Sequence, residues 1–228
     1  FADRDPAVAA DAADGRDART VAADGDTAHD IVCLAVPMSA VPAAVEAYAP
    51  RAERAIVDVS GEMTDAIDAM GAHAPDLERA SYHPLFAPPR VPGNVAVVVD
   101  AGGPAVESLT ESIEAGGNDV FETTAAEHDE AMETVQAGAH AAVLAWRLAG
   151  NEVREEFHTP VSAALDDVAD TVTEGSPAVY AEIQRAFDGA DELADAAAEI
   201  AAADEEAFTA LYERARARGD GDARDRHE

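Results

Sequence analysis

Residues 31–37, Ile31-Val32-Cys33-Leu34-Ala35-Val36-Pro37, form an uninterrupted apolar run that a proline closes. A strand buried on both faces of a parallel sheet has this composition, whereas a strand with one wet face alternates apolar and polar residues. We expect a helix after it, from about Ala40 to Tyr48. The run therefore predicts a parallel sheet with helices packed against it, and it makes Cys33 a small core residue.

The same unit repeats along the first half of the chain. We predict strands near 55–59, 80–83, 95–100 and 120–123, helices near 6–13, 63–70 and 104–115, and the end of a strand at residues 1–6. Strands that alternate with helices of about ten residues are typical of crossover units in a mostly parallel sheet. The sequence predicts an α/β domain over residues 1–123.

After Thr123 the pattern changes to helices alone, near 124–150, 160–173, 177–187 and 190–217. Val135, Ala139 and Val143 follow the i, i+4, i+8 spacing of an apolar stripe, and Gln136 and His140 lie beside it. These helices carry more apolar surface than one small bundle can bury, which favours a homodimer. We predict an all-helical dimerisation domain over 124–217 and a disordered tail over 218–228.

Composition narrows the possible partners and surroundings. The formal net charge is −32, the sequence pI is about 4.2, and all 15 basic residues are arginine. Such an acidic surface suits concentrated salt, where self-repulsion is screened, so we expect a salt-adapted, haloarchaeal-type protein. Nucleic acid and anionic membranes are disfavoured because no basic patch occurs. No apolar stretch is long enough for a membrane span and no signal peptide is visible, so a cytoplasmic location is expected.

The chain contains one cysteine, which rules out an internal disulfide and a cysteine metal cluster. The most informative titratable residue is His83, in the segment Tyr82-His83-Pro84-Leu85-Phe86, where a predicted strand ends and a loop begins. Open α/β sheets bind ligands beyond the carboxyl ends of their strands. His83 is therefore either a catalytic residue or a histidine hydrogen-bonded in a structural corner.

Several segments together make the chain similar to the prephenate dehydrogenase family over nearly its whole length. In order along the chain these are Asp3-Arg4-Asp5-Pro6, residues 30–37, Asp58-Val59-Ser60-Gly61, His83-Pro84-Leu85-Phe86 with Arg90-Val91-Pro92, and Glu127-His128-Asp129 with Gln136-Ala137-Gly138-Ala139-His140. The resemblance implies a Rossmann-like dinucleotide-binding domain, a helical dimerisation domain, and NAD(P)-dependent oxidative decarboxylation of prephenate to 4-hydroxyphenylpyruvate, a step toward tyrosine.

The resemblance also implies roles for residues around the substrate. His83 is expected to act as the base toward the substrate hydroxyl, and Ser60 to hydrogen-bond the same region or to cap the helix that follows it. Gln136 and His140 are expected to bind the substrate, prephenate or arogenate, or else a neighbouring helix or subunit. His128 is interpreted as an exposed first-turn residue.

Further residues are expected at the cofactor. Asp3 corresponds to the acid that binds the ribose hydroxyls and favours NAD over NADP, or else it is a solvated turn residue. Arg4, Val36, Pro37 and Asp58 are the other residues that the resemblance places near the cofactor.

Two departures from the family pattern leave alternatives open. The chain contains no G-x-G-x-x-G, so we expect that a first strand and its glycine loop are missing before Phe1. The segment Thr159-Pro160-Val161-Ser162-Ala163 lacks the arginine that pairs with a substrate carboxylate in this family, and Arg90 or Arg154 is expected to replace it. The alternatives are another Rossmann-type reductase, acting on an imine or a hydroxy acid, and a non-catalytic dimerising fragment.

Overall fold

A computed structural model describes the backbone of residues 1–87 and 90–225, and the side chains of these residues as far as Arg218. Contacts divide the chain into two compact units, Phe1–Ala125 and Ala126–Glu228. The elements that begin in the first unit are α1 Pro6–Ala13, β1 His29–Leu34, α2 Val41–Tyr48, β2 Ala52–Asp58, α3 Thr64–His73, β3 Glu78–Pro84, β4 Asn94–Ala101, α4 Pro104–Ala115, β5 Asp119–Glu122 and α5 Ala125–Met132.

The five strands form one sheet in the order β1-β2-β3-β4-β5. Pairs β1–β2, β2–β3 and β4–β5 are parallel, and β3–β4 is antiparallel. The prediction of a mostly parallel sheet is therefore confirmed. In register, Asp58 at the end of β2 lies opposite Ser81 of β3, and His83 lies opposite Ala96 of β4.

The two faces of the sheet are covered by different helices. Ile56 of β2 packs with Val45 of α2 and Met70 of α3 on one face. Val57, the next residue along, packs with Tyr82 and with Val106 of α4 on the other face. Successive side chains of a strand point to opposite faces, so a continuous apolar run such as Ala55-Ile56-Val57 is what a sheet covered on both sides requires.

Long-range side-chain bonds fix the ends of several elements. The Glu78 carboxylate accepts hydrogen bonds from the backbone nitrogens of Ala105 (2.7 Å) and Val106 (2.8 Å), which are otherwise unpaired at the start of α4. Arg79 bonds Asp100 at 2.7 Å and donates to the carbonyl of Ala74 at 2.9 Å, which holds the loop before β3.

The second unit is helical. After α5 the chain makes a π-helical turn, Glu133–Gly138, and continues as α6 Ala139–Ala149, α7 Pro160–Thr173, α8 Pro177–Ala186, α9 Gly189–Ala202 and α10 Glu205–Asp225. Gly189, at the start of α9, lies directly against the π turn, because a Cβ there would fall 2.0 Å from the Glu133 carbonyl oxygen. None of the helices within the described residues is long and apolar enough to cross a membrane.

Four expectations about local structure need correction. Residues 1–3 are irregular and not part of a strand, because within the described residues no strand lies beside them to pair with. Cys33 is exposed and not a core residue, because β1, which carries it, lies at the edge of the sheet. The helix expected over 190–217 is broken after Ala202, where the Asp204 side chain accepts from the nitrogen of Ala207 and starts a new helix.

The fourth correction concerns the tail. Residues 218–225, expected to be disordered, continue α10, and residues 226–228 lie outside the described part of the chain. Once a helix is nucleated, each further residue adds one backbone hydrogen bond, and this segment contains no proline to stop it. A polar composition alone therefore did not predict the end of the helix.

Candidate functional site

The candidate site of the first unit lies where three neighbouring strands end. β1, β2 and β3 are parallel, so their carboxyl ends share one edge of the sheet. Met38 follows β1, Ser60 follows β2, and His83 is next to last in β3. This is the edge where open α/β sheets bind ligands.

The imidazole of His83 faces the loop that contains Ser60. His83 is 8% exposed, and its Nε2 lies 3.5 Å from the position that a Cβ on Gly61 would take. The Sδ of Met38 lies 3.1 Å from the same position. The fold thus brings His83 to the residue next to Ser60, two positions that are more than twenty residues apart in sequence.

Ser60 is held by the end of its own strand. Its backbone nitrogen donates to Asp58 Oδ2 at 3.0 Å, and its hydroxyl is hydrogen-bonded to the same oxygen. The hydroxyl also bonds the carbonyl oxygen of Glu62, at 3.0 Å. These bonds fix the position of Ser60 Oγ, as a group that contacts a substrate requires.

Asp58, the last residue of β2, holds the loop that contains Ser60. The residue is completely buried, and burial raises the pKa of its carboxyl group, although the hydrogen bonds from Ser60 lower it in part. Its side chain bonds the loop that contains Ser60, and the cofactor contact predicted for Asp58 stays a prediction. The sequence did not indicate that Asp58 holds Ser60. Asp58 ends a strand and also belongs to the motif Asp58-Val59-Ser60-Gly61, so its position in the sequence allows more than one role.

Asp3 and Arg4 lie in an open pocket elsewhere in the first unit. Both are exposed, and they line a cavity of about 510 Å³ together with Pro6, Ala9, Thr20, Val21, Ala22, Ala23 and Asp24. One side of this pocket is held by the Tyr48 hydroxyl and the Arg51 guanidinium, which both donate to the Ala23 carbonyl. Asp3 is thus an accessible carboxylate, although a strand does not carry it.

In the second unit, Gln136 lies in the π turn and His140 follows it in α6. The His140 ring contacts Tyr180 edge to face, with ring centroids 4.7 Å apart. Burial lowers the pKa of His140, and its buried Nδ1 has no hydrogen-bond partner among the described residues. His140 is therefore a neutral imidazole with an unused polar atom, which suits a ligand contact.

The apolar stripe expected beside these residues is not buried in this unit. Val135 is 56% exposed, and the buried positions of this helix are instead His128, Met132 and Ala137. The spacing from Met132 to Ala137 is five residues, which matches the i to i+5 hydrogen bonds of a π turn and not the repeat of an α-helix. Within one chain, the buried positions after Met132 therefore differ from the predicted stripe.

His128 was expected to be exposed, and this was wrong as well. Its side chain is buried, and its Nδ1 lies 2.8 Å from Asp129 Oδ1. The adjacent acid in Glu127-His128-Asp129 is the signal that could have indicated a partnered histidine. Within the described residues, no group of three or more histidine, cysteine or acidic side chains could hold a metal ion.

The remaining predicted site residues lie in loops. Arg90 is exposed, Pro37 is exposed, and Val36 is half-buried against the core that β1 shares with α2. Arg154 is exposed, with its guanidinium 5.0 Å from the centre of the Phe157 ring. The roles predicted for these residues stay predictions.

Comparison with known proteins identifies relatives of this chain. A 4-amino-4-deoxyprephenate dehydrogenase from Streptomyces pristinaespiralis is 33% identical over 204 residues, which cover 81% of this chain and 69% of the relative. The chain belongs to the prephenate dehydrogenase family. The resemblance stated from the sequence is therefore confirmed, and the members to which the chain is related are oxidoreductases.

Solved structures of this family share the fold. A protein assigned as a prephenate dehydrogenase from Corynebacterium glutamicum superimposes with a TM-score of 0.68 at 16% identity, covering 97% of this chain and 80% of that one. A prephenate dehydrogenase from Aquifex aeolicus, solved with hydroxyphenyl propionate and NAD+, superimposes with a TM-score of 0.63 at 13% identity. The match covers 96% of this chain and 87% of that one. An arogenate dehydrogenase from Synechocystis superimposes with a TM-score of 0.61 at 15% identity, covering 96% of this chain and 88% of that one. No protein-family model matches the chain.

Proposed function

We propose that this protein catalyses the NAD-dependent oxidative decarboxylation of prephenate to 4-hydroxyphenylpyruvate. The observation that carries the proposal is the position of His83, whose Nε2 lies beside the Ser60-Gly61 loop at the carboxyl edge of the sheet. An imidazole side chain is a suitable general base near neutral pH. We infer that Ser60, held by its bonds to Asp58, contacts the same substrate atom.

His83 takes the proton of the ring hydroxyl while the carbon that bears the hydroxyl loses a hydride, so a ring ketone forms. Nicotinamide bound at this site would supply the hydride acceptor. The ring carboxylate then leaves as carbon dioxide, and the electron pair of the broken carbon–carbon bond enters the ring and makes it aromatic. The ketone oxygen gains the negative charge and takes the proton back from His83. Protons and electrons therefore balance with NAD as the only oxidant, and His83 ends the cycle in its starting protonation state.

The cavity at Asp3 and Arg4 fits the adenosine end of NAD. An accessible carboxylate in such a pocket accepts hydrogen bonds from the ribose hydroxyls and repels the 2′-phosphate of NADP. NAD bound to one structural relative supports this choice. The 228 residues contain no G-x-G-x-x-G loop for the pyrophosphate, so the pocket accounts for one end of the cofactor only.

A second candidate substrate is 4-amino-4-deoxyprephenate, in which an amino group replaces the ring hydroxyl. The name of the relative that is 33% identical favours it. The same base would then take a proton from nitrogen. Arogenate, which differs from prephenate in the side chain, is the third candidate.

The experiment is a comparison of all three substrates with the full-length protein in molar potassium chloride, with NAD or NADP. We expect NADH to form with prephenate. Identifying the product formed from each substrate shows which of the three the enzyme converts. His83→Ala should lower kcat at least roughly 100-fold, the usual contribution of a general base. His73→Ala, which removes an exposed histidine at the end of α3, is the matched control and should leave kcat unchanged. No turnover with any of the three substrates would refute the proposal.

We further propose that the protein is a homodimer in which a second copy covers the exposed apolar side chains of the helical unit. Among these, Leu148 is 84% exposed, and Phe157, Val161, Val179 and Ile200 are also largely exposed. A large contiguous patch of exposed apolar side chains commonly marks a protein–protein interface, and we infer that these side chains form one. Light scattering should give the mass of two chains, and Leu148→Asp should weaken the dimer. A wild-type protein with the mass of one chain would contradict this.

A further inference from the structure

The hydroxyl group of Ser60 lies between two oxygens. One is Oδ2 of Asp58, the last residue of β2, and the other is the carbonyl oxygen of Glu62 at 3.0 Å. Oδ2 also accepts a hydrogen bond from the backbone nitrogen of Ser60, at 3.0 Å. The side chain of Asp58 is fully buried.

The number of protons decides how these contacts are made. A serine hydroxyl carries one proton, and a carbonyl oxygen can only accept. If Asp58 is ionised, Ser60 can donate to Asp58 or to Glu62, and the other contact sets two acceptors against each other. If Asp58 is the neutral acid, Asp58 donates to Ser60 Oγ and Ser60 donates to Glu62. The neutral acid is the form that gives each contact a proton.

The surroundings of Asp58 also favour the neutral form. The groups that face it are the Cys33 thiol from β1, Ser81 from β3, and Ser60 from its own loop. These groups carry no positive charge that would stabilise a carboxylate. Asp58 Oδ1 and Ser81 Oγ are both buried, and neither makes a hydrogen bond of ordinary geometry among the described residues. The Ser81 hydroxyl is close enough to lower the pKa of Asp58 in part, but an incompletely bonded oxygen still costs far more for an anion than for a neutral carbonyl. Burial accordingly raises the pKa of the Asp58 carboxyl.

We propose that Asp58 is a positioning residue, held as the neutral acid, whose proton orients the Ser60 hydroxyl toward the Glu62 carbonyl. The proton of Ser60 is then committed, and toward a substrate Ser60 can only accept a hydrogen bond. The group that meets Ser60 must be a donor, such as a ring hydroxyl or a ring amino group, and not a carboxylate. This consequence rests on the proposed function, whereas the protonation state of Asp58 does not.

The first test is infrared spectroscopy of the wild-type chain near pH 7, with and without 13C in the aspartate carboxyl groups. Ordinary aspartates, with a pKa of about 4, are ionised there and absorb apart from a neutral acid. We expect one isotope-sensitive carboxylic acid band. It should vanish in Asp58→Asn and remain in Asp68→Asn, which changes an exposed aspartate of α3. A wild-type spectrum without the band would overturn the proposal, whether or not the enzyme is active.

The second test uses the kinetics of the full-length enzyme. Asparagine is uncharged, has the same shape and keeps a bond to Ser60, so Asp58→Asn should retain kcat/KM within about tenfold of the wild type. Asp58→Ala should lose at least about tenfold more, and adding it to Ser60→Ala should cost little further, because both changes remove one interaction. Equal losses in Asp58→Asn and Asp58→Ala would show that the charge matters and would refute a neutral acid. Turnover by no variant, with the infrared band present, would refute the proposed function alone.

Discussion

The substitution Gly61→Ala tests whether His83 Nε2 is the atom that meets the substrate. A Cβ at this position would lie 3.1 Å from Met38 Sδ and 3.5 Å from His83 Nε2. Gly61 is not among the glycines with positive φ, which are Gly15 and Gly117 in the described chain, so alanine can adopt its backbone conformation.

The effect on stability should be small, because two contributions oppose each other. The contact with His83 is an ordinary van der Waals distance, and the contact with Met38 is relieved if its flexible thioether moves by a few tenths of an ångström. Replacing glycine with alanine stabilises a protein by about 0.4–1 kcal/mol through the unfolded state. We therefore expect the free energy of unfolding to change by less than about 1 kcal/mol.

The effect on activity should be large. A base must come within about 2.6–3.2 Å of the atom whose proton it takes, and the new methyl group would occupy the space beside Nε2. A displacement of about 1 Å can cost roughly 100-fold in rate. We expect kcat/KM to fall about 10- to 100-fold.

The assays are urea unfolding and NADH formation, with Gly71→Ala as the control. Gly71 lies in α3, a Cβ there meets nothing within 4 Å, and alanine in a helix interior gains up to about 1 kcal/mol. This control should keep wild-type kcat/KM. Full activity in Gly61→Ala would show that the substrate does not approach His83 past this loop, and a loss of several kcal/mol would show that Met38 cannot move.

Three further predictions concern stability. Glu78→Ala should lower the free energy of unfolding by about 1–2 kcal/mol, because two backbone donors of α4 lose their acceptor. The control Glu111→Ala, on the exposed face of α4, should change it by less than about 0.5 kcal/mol. Equal losses in the two variants would contradict the capping role of Glu78. Burial raises the pKa of Asp58, so the stability of the wild type relative to Asp58→Asn is greatest below the unfolded pKa. It falls as pH rises through the folded pKa, by up to about 1.4 kcal/mol per pH unit. Unfolding curves from about pH 4 upward measure this difference, and a constant difference would refute the prediction. Gly189→Ala should cost about 1–3 kcal/mol, because the backbone must move apart where no Cβ fits, and wild-type stability would contradict the contact with Glu133.

Helix starts and the α/β architecture could be predicted from the sequence. Pro6, Pro104 and Pro160 each occupy the first position of a helix, where a missing N–H costs nothing, and α1, α4 and α7 have the bounds that were expected. Asp204 carried a signal that was missed, since an aspartate followed by two glutamates is a typical helix start. Its position inside a long alanine-rich pattern hid it.

The site was only partly predictable, because much of it depends on register between strands. His83 and Ser60 could be named from motifs, but the packing of the His83 ring against Gly61 follows from how β2 and β3 pair. The burial of Asp58 has the same origin, since a residue at a strand end can point outward or inward. Cys33 was predicted to be buried from its composition, and its exposure depends on which strand lies at the edge.

The π turn between α5 and α6 adds one residue to a helical turn, and this shifts the direction of every later side chain around the helix axis. Each residue of an α-helix advances by about 100°, so deleting one residue from 133–138 and restoring an α-helix would rotate everything after it by about that angle relative to α5. His140 would then leave the ring of Tyr180, and the contact with Gly189 would be lost. The exact number of residues in this helix is therefore as important for these two contacts as the side chains that make them. A relative with a deletion here should also differ at positions 140 and 189.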